Sequence, residues 1–302
     1  MRTLYKYYGG LSSEYFSNPT LKLASANNLN DPFEITLANE LLSLFEEENK
    51  DDEAFERFKN IIGDGDLKQG YNELLKMCGI VSLSETQHNL LMWAHYGDQH
   101  RGLCIGYDSA LLEGRELKKY KKLPIISFPR KIDYDTNKND FQNYEFNKEN
   151  SDEMLKSILE KQLTTKGNDW IYEKEHRLIV PIGRADKFRY KRSLRAANRT
   201  SYTPDDFYKY VEENSDFDYE IKERGDLIAK KIAHDAQYTF LLNIDKKYIK
   251  SVYIGCRMKR RIANKIKDQI LSDPELSHVK ISKFKVSLDR FELEVDPDFL
   301  NP

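Results

Sequence analysis

The sequence predicts an α+β fold, with mixed, largely antiparallel central sheets carrying helical insertions in one domain over residues 1–302. Three observations point that way. Short runs of β-formers recur from one end of the chain to the other. Helical segments fall between them without the regular strand–helix alternation of a doubly wound sheet. Hydrophobic residues are 39% of the 302 residues, enough apolar material for a core, so the chain is not broadly disordered.

Residues 4–8 are rich in β-formers and predict the first strand. Residues 12–18 predict a short helix or turn ended before Pro19. Leu21-Lys22-Leu23-Ala24-Ser25 alternates apolar and polar and predicts the second strand. Asn27 to Phe33 forms a turn cluster. Apolar residues at helical spacing predict two helices over 36–60 and another over 67–77. Gly79-Ile80-Val81-Ser82-Leu83-Ser84 reads as a buried strand, and 89–96 as a helix capped by Gly97. Over 101–107, Leu103, Ile105 and Tyr107 share one face, with Gly102, Cys104 and Gly106 on the other, so something packs close against that strand. Short strands are predicted at 125–128 and 131–134, a helix at 151–164 and a central strand at 178–182. Further strands follow at 238–244, 250–254, 279–286 and 291–295, with a helix at 261–271. The stretches 36–77, 136–168 and 184–237 read as helical or loop insertions.

Lys+Arg number 48 and Asp+Glu 50, a formal net charge of −2, which argues against a surface wholly devoted to gripping nucleic acid or anionic membrane. No run approaches the roughly 18–20 apolar residues of a membrane span, and the first residues carry no apolar signal region, so a cytoplasmic protein is expected. Cys78, Cys104 and Cys256 are scattered, without CxxC spacing, and read as structural thiols of a reducing compartment.

Three clusters depart from a plain core pattern. In Asn30-Asp31-Pro32-Phe33-Glu34, Pro32 holds Asp31 extended, where its side chain closes an Asx turn. The turn is either structural or presents Asn30 and Asp31 to a ligand. Met92-Trp93-Ala94-His95-Tyr96, followed by His100, holds two of the six His and one of the two Trp. Titratable groups beside aromatic walls suit proton transfer or stacking on a planar ligand; aromatic core packing is the simpler account. In Trp170-Ile171-Tyr172-Glu173-Lys174-Glu175-His176-Arg177, strand spacing puts Glu173, Glu175 and Arg177 on one side. Carboxylates there need partners or a use, and an internal Glu175–Arg177 ion pair is the plainer reading. A basic stretch, Arg184 to Arg199, carries seven positive charges against Asp186, with Phe188 and Tyr190 interleaved. It is either a phosphate-holding patch or a solvated face balanced by the acids of 205–213. No P-loop, GxGxxG, GxSxG or HExxH motif is present, and no metal ligand set is assigned.

Leu4-Tyr5-Lys6-Tyr7, the Asn30–Glu34 cluster, Met92 to Tyr96 with His100, Gly102 and Gly106, the Trp170–Arg177 cluster and Ile254-Gly255, in this order, resemble the bacterial domain-of-unknown-function 2971 family over nearly the whole chain. The order of an early Tyr-bearing strand, a second strand ending in a polar loop and a late Glu-bearing strand is also similar to ADP-ribosyltransferase-like folds, which hold NAD between two small sheets. This chain has Ala24-Ser25-Ala26 where that family carries Ser-Thr-Ser. The second resemblance implies an NAD-binding transferase or glycohydrolase, a toxin or phage-defence effector acting on a protein or nucleic-acid target. It implies Lys6 on the NAD, an aromatic from Tyr7, Trp93 and Tyr96 stacked on the nicotinamide, and Glu175 or Glu173 at the ribose. With it, the expected catalytic set is Glu175, His95, Glu173 and Asp31. The expected cofactor-binding set is Lys6, Tyr7, Asn30, Trp93, Tyr96, His100, Trp170 and Arg177. The alternatives are a metal-dependent nuclease using His95, His100, Asp31, Glu173 and Glu175, and a non-catalytic nucleotide sensor.

Overall fold

The computed structural model describes residues 2–35, 67–115, 117, 123–138, 151–191, 202–213 and 218–300. Its strands are β1 (Thr3–Tyr8), β2 (Thr20–Ser25), β3 (Cys78–Ser84), β4 (Leu103–Asp108), β5 (Ile126–Lys131), β6 (Asp133–Asp135), β7 (Thr165–Gly167), β8 (Glu175–Pro181), β9 (Lys187–Tyr190), β10 (Val211–Glu213), β11 (Asp218–Ile221), β12 (Tyr238–Asn243), β13 (Ile249–Ile254), β14 (Lys280–Val286) and β15 (Leu293–Val295). The helices are α1 (Leu67–Met77), α2 (Leu90–His95), α3 (Ser151–Leu163), α4 (Gly225–Ile232) and α5 (Arg260–Ser272).

Among the described residues, thirteen strands form one sheet, ordered β10-β11-β9-β12-β2-β3-β1-β4-β13-β14-β15, with β8 and β5 branching from β3. Within it only β13 and β14 run parallel, joined through α5; β6 and β7 make a separate parallel pair. The fold is α+β, with a mixed, mostly antiparallel sheet. A period-2 pattern decides which side of β2 and β9 is core, whereas β4 and β8 are buried at every position. Leu21 and Leu23 of β2, Phe188 of β9 and Phe240 and Leu242 of β12 share a buried cluster with Ile228 of α4 and Ile266 of α5. A second cluster sets α1 and α3 against Ile80 and Ile179 of β3 and β8. A third packs Trp93 of α2 on Tyr7 and Phe284.

The small face of β4 is used as its sequence implies. A Cβ on Gly106 would lie 2.4 Å from Ser251 Oγ, and one on Gly102 2.0 Å from the Tyr8 carbonyl oxygen. Four expectations are corrected. Gly97 is not a left-handed cap: a Cβ there would strike the Trp93 ring, and the helix exits instead through Asp98, Gln99 and His100, all at positive φ. The stretch 184–237 is not merely helix and loop, because β9, β10 and β11 extend the sheet. β8 begins at Glu175, earlier than its apolar run, since the full length of β3 pairs with it. Glu173 is not on that strand; it ends a 3-10 turn, Asn168–Glu173. The helices expected over 36–60 and the basic residues Arg192, Arg195 and Arg199 lie outside the described residues. Cys78 and Cys104 are buried and Cys256 is partly so, and burial pushes the Cys78 thiol up to about 12. Among the described residues, no helix is long and apolar enough to cross a membrane.

Candidate functional site

A strand has two edges, and β8 occupies one edge of β3 along its whole length, from Cys78↔Pro181 to Ser84↔Glu175. β2 and β1 must therefore share the other edge. β2 takes its start (Ala24↔Ile80, Ser25↔Gly79) and β1 its end (Tyr5↔Ser84). Between these points the two strands diverge. The Ser82 carbonyl, in the gap, accepts a hydrogen bond from Lys6 Nζ at 3.0 Å. A cavity of about 300 Å³ opens in this split, and Lys6, Lys22, Asn30, Tyr96, Glu173 and Glu175 are among the residues lining it.

The foot of the cleft is a buried ion network. Arg177, 1% exposed, forks onto Glu175, with Nε 2.7 Å from Oε1 and Nη2 3.0 Å from Oε2. Its Nη1 donates to the Leu163 carbonyl at 2.8 Å and contacts the Glu34 carboxylate. Lys166, from β7, places Nζ 2.6 Å from Glu173, 3.2 Å from Glu175 and 3.7 Å from Glu34. Its ammonium also sits 4.5 Å from the Trp170 ring centre. Lys174, left-handed at φ 47°, turns the chain between the 3-10 turn and β8 so that Glu173 and Glu175 both reach Lys166.

Three carboxylates thus face two cations, a formal excess of one negative charge, and Lys6 lines the same cavity. Burial alone would raise the Glu175 carboxyl, but Arg177 and then Lys166 outweigh it and hold it at about 2. For Glu34 burial wins over Arg177, and its carboxyl is raised. Lys166 and Arg177 are likewise held above their ordinary values: burial opposes them, and Glu175 is the largest opposite charge on each. Burial, then the charge of Lys22, lowers the Lys6 ammonium to about 8, with Glu175 opposing. Among the described residues no carboxylate forms an ion pair with Lys6 or Lys22.

The three sequence clusters meet through one hydrogen-bond chain. Asn30 Nδ2 donates to Tyr96 Oη at 3.2 Å, and Tyr96 Oη donates to Glu173 Oε1 at 2.5 Å. Burial and that bond to Glu173 raise the Tyr96 phenol. Of the expected residues, Lys6, Tyr7, Asn30, Tyr96, Glu173, Glu175 and Arg177 line the cleft. Five others stand elsewhere. His95 is exposed at the end of α2, beside Tyr172. Trp93 is fully buried, its Nε1 donating to the Gln87 carbonyl at 2.7 Å, so it is core and no stacking surface. His100 stacks on Trp93, away from the cleft, and burial, then Arg257, lowers its imidazole. Asp31 closes the expected Asx turn on Phe33 N at 2.9 Å. Asp31 and Trp170 line a neighbouring cavity of about 580 Å³, which shares Glu34 and Lys166 with the cleft.

Lys166, Lys22 and the role of Glu34 are what sequence reasoning missed. Glu34 had a signal, its place in the Asn30–Glu34 cluster. Lys166 had none, lying in a three-residue strand with no pattern.

The segment that supplies most of the ion network is the one that comparison with known families singles out. Residues 92–178 match the family model described as "Protein of unknown function (DUF2971)". This segment belongs to the DUF2971 family. It holds Tyr96, Lys166, Glu173, Glu175 and Arg177, while Lys6, Lys22, Asn30 and Glu34 come from outside it. The match is narrower than the nearly full-length resemblance expected from the sequence, and the Asn30–Glu34 and Ile254-Gly255 stretches fall beyond it. No curated protein and no solved structure matches the chain.

Proposed function

We propose that the cleft between β1 and β2 binds an NAD-class nucleotide and that the protein is an ADP-ribosyltransferase-like enzyme. The observation that carries this reading is the split itself. It sets Lys6, an ammonium with no carboxylate ion-pair partner among the described residues, in one small cavity with Glu175, a carboxylate kept ionised by fixed cations. Lys6 and Lys22 suit the phosphates of the nucleotide. In the reaction the N-glycosidic bond from ribose C1′ to nicotinamide breaks, its electron pair leaving with the nicotinamide nitrogen. The resulting oxocarbenium ion is captured by water or by an acceptor nucleophile, which then loses a proton. A preorganised carboxylate stabilises that cation best in a dry site.

Of the two candidate carboxylates, Glu173 is the freer. A carboxylate has about four acceptor positions. Among the described residues, Glu175 already accepts from Arg177 twice and Lys166 once, whereas Glu173 accepts from Tyr96 and Lys166. Glu173 is thus assigned to the ribose hydroxyl and Glu175 to the fixed negative field beneath it.

The test is nicotinamide release from NAD by the purified protein, followed by chromatography, with Glu173→Gln expected to abolish it while the fold persists. NAD left intact after long incubation with protein and cell lysate, with no NAD-induced thermal shift, overturns the reading. Thermal stabilisation by NAD without turnover selects the sensor alternative, which the saturation of Glu175 by cations favours. The metal-dependent nuclease has less support. Glu34, Glu173 and Glu175 each contact Lys166, and among the described residues no group of three or more His, Cys, Asp or Glu is placed to hold a metal ion.

A further inference from the structure

The basic stretch that begins at Arg184 is not absorbed by the cleft, and the register of the sheet shows where its first part goes. Along β9, Phe188 and Tyr190 point into the core cluster, so Lys187, Arg189 and Lys191 fall on the opposite face. Leu241 of β12 pairs with Lys187 on one side and Lys22 of β2 on the other, which puts Lys22 and Lys187 in one row across three strands. Lys191 continues the β9 edge of that row, its backbone N–H bonded to Gln237. Lys22 in turn lines the cleft that contains Lys6. Arg189 is paired with Asp218, whereas no carboxylate among the described residues pairs with Lys6, Lys22, Lys187 or Lys191. The like charges are near enough to act on one another: burial and then Lys191 lower the Lys22 ammonium. Asp218 and Glu220 of β11 close the far side.

We infer that Lys22, Lys187 and Lys191 form a phosphate track, and that its occupant is a single-stranded nucleic acid whose end or unpaired base reaches the cleft. Three considerations select this partner. From Lys22 to Lys187 the row crosses two strand spacings, about 10 Å, longer than a pyrophosphate that Lys6 and Lys22 together suffice to neutralise. Among the described residues this face of β2, β12 and β9 holds no aromatic or exposed aliphatic anchor, because Phe188 and Tyr190 turn inward and Leu241 is buried. A protein partner would need such an anchor, and a backbone polyanion does not. A duplex cannot deliver a base into a cavity of about 300 Å³ without unpairing it, whereas a single strand can. Contact by charge without stacking also makes the binding indifferent to base sequence.

The inference does not require that the cleft bind NAD, and its experiment separates the two. Anisotropy of a fluorescein-labelled single-stranded RNA about twelve nucleotides long, and of the same DNA and its duplex, is read from 50 to 200 mM salt, a range over which such contacts weaken steeply. With three to four phosphate contacts the single strands should give a log–log slope of about −2 to −3. Lys187→Glu with Lys191→Glu should weaken binding about tenfold or more and reduce the slope by about 1.4, since each lost single-strand contact removes about 0.7. Any NAD-induced thermal shift should stay as in the parent protein. Lys187→Gln with Lys191→Gln, which removes charge from one partly exposed and one exposed position, should show the same direction if the acidic pair unfolds. Equal binding by parent and Gln variants, binding insensitive to salt, or no binding of either strand at 50 mM salt overturns the track. Tighter binding of duplex than of single strands overturns the assignment of the occupant.

Discussion

Replacing Arg177 by Met tests the ion network most directly. The guanidinium makes two bonds to Glu175 and one to the Leu163 carbonyl, and it contacts Glu34. Methionine fills much of the volume but leaves two carboxylates, 3% and 4% exposed, with Lys166 as their remaining buried cation. Breaking a buried pair from one side costs about 3–5 kcal/mol, and an orphaned carbonyl adds about 1–3 kcal/mol. A loss of about 4–8 kcal/mol is therefore expected, a large part of the roughly 5–15 kcal/mol that holds a typical protein folded. Urea unfolding followed by Trp93 and Trp170 fluorescence reads it. Arg177→Lys, which keeps the charge but not the fork, should lose about 1–3 kcal/mol and remain folded if the Met variant does not.

The pH dependence supplies a second, independent sign. In the parent protein Glu175 sits at about 2, below its ordinary 4.5. The unfolded chain binds more protons between those values, so this contribution is complete above about 4.5 and is lost as pH falls toward 2. Glu34, raised by burial, works the other way, and its stabilising contribution fades as pH rises through its elevated value. Without Arg177, burial should dominate at Glu175 too. Its carboxyl then rises above the ordinary value, and stability should fall rather than rise as pH climbs from 4 toward neutrality. A loss below about 1 kcal/mol with an unchanged acid limb would refute the reasoning, because it would mean that water already screens the cluster.

Tyr96→Phe removes the link between Asn30 and Glu173 and should cost about 1–2 kcal/mol in urea, with any nicotinamide release reduced more than the fold. Binding of a phosphate-bearing nucleotide should weaken as pH rises through about 8, where Lys6 loses its proton, by up to about tenfold per unit in calorimetric titration. Lys6→Met should abolish that slope. The unliganded protein should respond oppositely: with Lys6 lowered from 10.5, stability gains as pH rises from about 8, measured by thermal melts. Gly102→Ala drives a methyl onto the Tyr8 carbonyl and should lower stability by about 1–3 kcal/mol; an unchanged melting temperature would show that β1 can shift away.

What the sequence determined is what depends on near neighbours in the chain. Period-2 alternation placed β2 and its buried side, and the small face of β4 foretold the close packing at Gly102 and Gly106. The Asx turn at Asp31 follows from the proline after it, and the helix at 67–77 from its apolar spacing. The convergence of Asn30, Tyr96 and Glu173 was legible as polar clusters that a plain core would not explain, but their division of labour was not. Trp93 and His100 looked like binding groups because an aromatic beside a titratable ring has the same sequence signature in a core as in a pocket. Only tertiary structure decided which of these side chains face the cleft. It also decided that Lys166 would serve three carboxylates and that Lys22 would share a row with Lys187. Those relations depend on the order in which strands join the sheet and on where β1 and β2 part from β3, and contacts over such separations leave no periodicity to read.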